Sequence, residues 1–151
     1  MPDDETPHPS DPFDLGRFLA AQEVNYRDAL AEIRAGQKRT HWMWYVFPQL
    51  EGLARSGMSQ RYSIKSVAEA RAYLAHPVLG PRLLESAGAV LEVQGRTVAE
   101  LFGSPDDMKL RSCATLFESV SPSGSVFAGI LAKYYRGVPD ENTLRLLGGS
   151  R

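Results

Sequence analysis

Lys38, Arg39 and His41 stand directly before Trp42, Trp44, Tyr45 and Phe47, and Gln49 closes the run. Cations beside aromatic faces suit a nucleotide-like ligand, because rings stack a base and cations meet phosphate. The same aromatic density also suits a plain hydrophobic core. The residues alone leave both readings open. A second group is Asp106, Asp107 and Lys109. At helical spacing Asp106 and Lys109 share the arc of Leu110, Cys113, Ala114 and Phe117, so their charges face inward. Ser112 lies further round and would serve a rim. Gln22 is a third intrusion, on the stripe of Phe18, Leu19 and Tyr26. A buried amide there must find partners, in another helix or in a ligand.

These residues must be brought together by helices. Leu15, Phe18, Leu19, Tyr26, Ala29, Leu30 and Ile33 recur at helical spacing after Asp14, read as the N-cap, and Gly36 stops the run. Residues 41–47 read as a short helix capped by Thr40 and ended by Pro48, with a buried strand as the alternative. Residues 51–64 read as a loop. Ser66-x-x-Glu69 and Thr97-x-x-Glu100 read as capping boxes. Ser104-Pro105-Asp106-Asp107 reads as a serine cap, a proline at the first helical position and two acids in the first turn. A helix over about 79–93, one with Phe127, Ile130, Leu131 and Tyr134 on its face that Gly137 ends, and a last short one capped by Asp140 and running through Leu147 complete the pattern. The expected fold is all-α, an irregular single-domain bundle of six or seven helices over 14–151, after a disordered, acidic and proline-rich lead over 1–13.

Composition narrows the function. The 151 residues carry a formal net charge of -1, which is not the basic footprint of a nucleic-acid binder. No apolar run approaches a membrane span, and the start of the chain lacks the pattern of a signal peptide. A cytoplasmic protein is expected. Cys113 is the only cysteine, and His8, His41 and His76 lack ligand spacing, so no metal and no cofactor is implied. Cys113 faces the core and should be inert. The familiar signatures of hydrolases, NTPases and dinucleotide binders are absent.

The string Lys38-x-x-His41-Trp42-Met43-Trp44-x-x-Phe47-Pro48-Gln49-Leu50 resembles a bacterial family catalogued as a domain of unknown function, number 1810. Phe18-x-x-Ala21-Gln22-x-x-x-Tyr26, Tyr62-x-Ile64, Glu69-Ala70-x-Ala72-Tyr73-Leu74-x-His76-Pro77 and Asp107-x-Lys109-Leu110-x-Ser112 fit the same pattern. Cys113-Ala114 departs from it where Ser-Met or similar is usual. The resemblance implies a helical fold and brings no agreed activity. The Gln22-x-x-x-Tyr26 face and the later acid near a helix start are also similar to the NADAR superfamily, which implies an NAD- or ADP-ribose-type ligand.

Together these readings lead to an anionic, nucleotide- or ribose-phosphate-like ligand in a polar pocket. Lys38, Arg39 or Lys109 would meet phosphate. Trp42, Trp44, Tyr26 or Tyr62 would stack on it. Gln22, Gln49 and Ser112 would orient hydroxyls. If the site is catalytic, the expected reaction is hydrolysis of an N-glycosidic bond, with Asp106 or Asp107 as the carboxylate and His41 as the alternative acid–base group. The competing expectation is a non-catalytic protein-interaction module in which the aromatics are simply core. The oligomeric state is left open, a homodimer through the aromatic segment being one form.

Overall fold

The structure is a computed structural model that describes residues 10–149. Among these the chain forms nine helices: α1 (Gly16–Arg34), α2 (Met43–Val46), α3 (Gly57–Tyr62), α4 (Val67–Ala75), α5 (Leu79–Glu92), α6 (Val98–Phe102), α7 (Asp106–Glu118), α8 (Val126–Tyr135) and α9 (Glu141–Gly149). The fold is all-α, with one isolated parallel bridge between Leu50 and Ile64 among the described residues. Among the described residues, no helix is long and apolar enough to cross a membrane.

The apolar spacing explains the packing. Helix α5 lies against α1, α4 and α8, and α7 against α6, α8 and α9. Phe18, Tyr73, Leu79, Leu83, Phe117 and Phe127 fill the space between them and are fully buried. Gly80 makes the α4–α5 corner: a Cβ there would sit 2.1 Å from the Leu74 carbonyl oxygen, so only glycine permits the approach.

Several helix ends differ from the sequence reading. Asp14 does not cap α1; it sits at φ 54, and the Asp11 carboxylate instead accepts the Leu15 and Gly16 N–H groups, each at 2.8 Å. Phe13 packs on the core. Asp11 and Phe13 thus contact the helices, while residues 1–9 of the expected lead lie outside the described residues. Thr40 does not cap α2. Its hydroxyl donates to Glu32 at 2.6 Å, and Trp42 takes the N-cap position with no side-chain cap. Phe47, held out of helical backbone by the following proline, ends α2. The expected loop over 51–64 contains α3, capped by Ser56 through the Ser59 N–H. Pro105 occupies the N-cap of α7, and no side chain caps it. The Asp107 N–H is satisfied by the Gly103 carbonyl at 2.8 Å, so Ser104 is not needed. Thr97 and Glu100 do form a full capping box.

Ser66 also caps as expected, but Glu69 does not reach back to it. Its Oε1 accepts the Lys65 N–H at 2.9 Å and its Oε2 meets Arg17 at 2.7 Å. The two side chains are 8% (Arg17) and 1% (Glu69) exposed. All five N–H groups of Arg17 are used: Nε on the Arg61 carbonyl, Nη1 on those of Phe13 and Asp14, and Nη2 on Ser63 and Glu69. A buried charge pair survives desolvation only when its remaining donors and lone pairs are met in this way. Arg17→Met, which leaves Glu69 buried and unpaired, is expected to lower stability by about 3–5 kcal/mol in urea unfolding. A loss below about 1 kcal/mol, the value of a solvated pair, would contradict this.

Candidate functional site

Two of the sequence-singled segments meet at one place. Helix α2 follows the strap from Lys38 to Trp42, and α7 begins opposite it. Lys38 is fixed at both ends. Its N–H donates to the Leu101 carbonyl at 2.7 Å. Its ammonium donates to the Thr40 carbonyl at 2.6 Å and pairs with Asp106 Oδ2 at 2.8 Å. The other oxygen of Asp106 lies 3.7 Å from the Lys109 ammonium. One carboxylate thus stands between two lysines, and the two differ. Lys38 is committed. The Lys109 ammonium has the loose ion pair, lies 5.3 Å from the Trp44 ring centroid, and makes no hydrogen bond among the described residues.

Beside Lys109 a hollow is lined by Met43, Trp44, Phe47, Gln49, Ser59, Tyr62 and Ser63. With its open mouth it spans about 220 Å³. Its enclosed part admits little more than a water-sized group. The Leu50–Ile64 bridge holds one wall against another: Ile64 N–H donates to the Gln49 carbonyl at 2.9 Å and Glu51 N–H to the Ile64 carbonyl at 2.8 Å. Arg17 grips the Arg61 and Ser63 carbonyls from behind, so the buried ion pair fixes the backbone on either side of Tyr62. The Gln49 amide and the Trp44 indole N–H make no hydrogen bond among the described residues. The Tyr62 hydroxyl accepts from Arg61 Nε at 3.3 Å, which leaves its own proton to donate.

The structure therefore brings Trp44, Gln49, Tyr62 and Lys109 to one hollow, with Lys38 and Asp106 behind Lys109. It does not bring the other expected residues there. Trp42 is fully buried; its ring packs on Phe47 and Phe102 and its indole N–H donates to Glu32 at 2.9 Å, so it has no free face for a ligand. Arg39 and His41 are exposed on the strap. Asp107 Oδ1 accepts the Met108 N–H at 2.9 Å. The buried Ser112 hydroxyl donates to the Met108 carbonyl at 3.2 Å. Gln22 is buried elsewhere, with its Nε2 on the Tyr45 carbonyl at 2.8 Å and the Tyr73 hydroxyl at 3.1 Å, and its Oε1 accepting from Arg82 at 3.4 Å. The Tyr26 hydroxyl donates to Glu85 at 2.6 Å and lies 3.0 Å from the Arg82 carbonyl oxygen. Burial and the Glu85 carboxylate push its phenol up. Burial likewise pushes the Cys113 thiol well up, as expected of an inert cysteine.

Sequence reasoning passed over Ser59, Ser63 and the anchors Arg17 and Glu32. Ser56 ahead of Gly57 was a readable cap signal for α3. Nothing in the sequence marked Glu32. Its Oε1 accepts from Arg39 N–H at 2.7 Å, Thr40 N–H at 3.0 Å and Trp42 Nε1, and its Oε2 from the Thr40 hydroxyl. Desolvation opposes ionisation, but these four donors prevail and hold the carboxyl at about 2.

Comparison with known proteins places this architecture. The family model described as "Protein of unknown function (DUF1810)" matches residues 12–147. The chain belongs to the DUF1810 family. The crystal structure of the conserved hypothetical protein Rv1873 from Mycobacterium tuberculosis is similar at a TM-score of 0.90 and 54% identity, over 91% of this chain and 99% of that one. No curated protein matches the chain.

In this DUF1810 protein the Glu32 contacts make the strap pH-dependent. A depressed carboxyl contributes stability that is fully present above its ordinary value of 4.5 and is lost as pH falls through about 2. Glu32→Gln is expected to unfold more easily at pH 7 by about 1–2 kcal/mol, reduced from a fully buried case by solvent screening. The gap to wild type should close on acidification across that window. Parallel pH profiles of the two proteins would contradict the assignment.

Proposed function

We propose that the hollow binds the anionic head of a small organic molecule. One observation carries this reading: several polar groups at the hollow have protons free to donate. These are the Lys109 ammonium, the Gln49 amide, the Trp44 indole N–H and the Tyr62 hydroxyl, and no carboxylate is among the lining residues. Groups with protons to donate beside an ammonium, with no carboxylate to compete, are what a carboxylate or phosphate oxygen requires. The narrow interior takes about one oxygen of the head, and the body of the ligand would lie outside, along the half-buried Trp44 ring. A ribose-phosphate or ADP-ribose-type molecule, the class implied by the NADAR likeness, is one candidate that offers such a head.

The reading is binding without hydrolysis. Cleaving a glycosidic bond most often uses a carboxylate at the reacting carbon. Asp106 stands between two lysines, Asp107 accepts a backbone N–H, and His41 lies on the strap and is not among the lining residues. NAD incubated with the protein should therefore release no nicotinamide.

Ligand binding to the folded state raises the melting temperature. At least one of ribose 5-phosphate, ADP-ribose and a panel of small carboxylates should do so. Lys109→Met should weaken that ligand about tenfold or more, since a hydrogen bond to a charged group contributes about 1.5–3 kcal/mol. Its loose ion pair means that the variant should remain folded. No shift and no calorimetric heat with any of these ligands would end the proposal.

A further inference from the structure

We infer that the ligand's head is a singly charged carboxylate on a flat apolar body, and that Asp106 enforces this choice. The inference rests on the anion-head reading and deepens it. The charge at the site is small. Asp106 neutralises Lys38 at 2.8 Å, which leaves the single positive charge of Lys109, itself offset by the same Asp106 carboxylate at 3.7 Å. A monoanion matches that balance. A phosphate monoester, doubly charged near neutral pH, would bring a second negative charge beside Asp106, a repulsion that added salt screens in part.

Shape and volume agree with charge. The interior admits little more than a water-sized group, which suits one carboxylate oxygen better than the three terminal oxygens of a phosphate. The Lys109 ammonium lies over the Trp44 ring. An anion bound to it has its body along the indole, and a planar body makes offset contact with that ring. Met43 and Phe47 supply the remaining apolar wall. Asp106 touches no ligand on this reading. It is a positioning residue that holds Lys109 and repels a second charge.

The test uses calorimetry on the full chain with benzoate, its neutral isostere benzamide, ribose 5-phosphate and inorganic phosphate. Benzoate should bind best, with benzamide and both phosphates at least tenfold weaker, and Lys109→Met should weaken benzoate at least tenfold. Asp106→Asn should narrow the preference for benzoate over ribose 5-phosphate severalfold, a change in ratio that a merely structural role would not produce. If Asp106→Asn fails to fold, the salt dependence of the wild-type preference replaces it, and the preference should shrink as salt rises. Ribose 5-phosphate binding more tightly than benzoate, in a manner dependent on Lys109, would overturn the carboxylate preference and leave the anion-head reading standing. No binding of any probe, or benzoate binding unaffected by Lys109→Met, would overturn both.

Discussion

The buried pairing of Arg17 with Glu69 is the constraint on which the rest of the site depends. It joins the first turn of α1 to the first turn of α4 and, through the Arg61 and Ser63 carbonyls, to the segment between α3 and α4. Two charges removed from water are tolerated because no donor of the guanidinium is left idle and each Glu69 oxygen has a partner. The planar fork of arginine makes this feasible, since its N–H groups point in fixed directions at acceptors from three parts of the chain. The wall that carries Tyr62 and Ser63 has no regular strand to hold it, and this fork together with one bridge takes that role.

A second carboxylate, Glu32, acts in the same way on the opposite wall. It gathers the N–H groups of Arg39 and Thr40 and the Trp42 indole, so the strap before α2 is tied to α1 by a single side chain. The aromatic run then divides by position within one helical turn. Trp42 turns into the core, while Trp44 stays half-buried at the hollow. The lysines divide similarly. Lys38 pairs closely with Asp106 and donates to the strap, and Lys109 remains with donors to spare. The site is polar because one cation is left over after the structure has satisfied the other.

The anomalies on apolar faces were legible, and their fates were not. Gln22, Asp106 and Lys109 stand out because polar residues interrupt helical stripes, and all three are at least partly buried. Periodicity reports the face a residue occupies but not what is packed against that face. Gln22 meets a carbonyl and a phenol that satisfy it, whereas Lys109 meets a ring and a distant carboxylate. Trp42 and Trp44 look equivalent in the string His41-Trp42-Met43-Trp44, yet only one lines the hollow. Capping shows the same division. Thr97-x-x-Glu100 closes on itself because both partners lie within four residues. Ser66-x-x-Glu69 has the same form, but Glu69 is drawn off by an arginine fifty-two positions away.

By itself the sequence determined the all-α architecture and most of the helices, because helical periodicity, local caps and turn residues are written in short-range spacing. It also exposed which residues were out of place on their faces. Only the tertiary structure decided which of these share a hollow, which are satisfied by their neighbours, and that Arg17 and Glu32 hold the walls. Hydrogen-bond partners of buried polar groups come from helices far apart in the chain, and no local pattern encodes that distance.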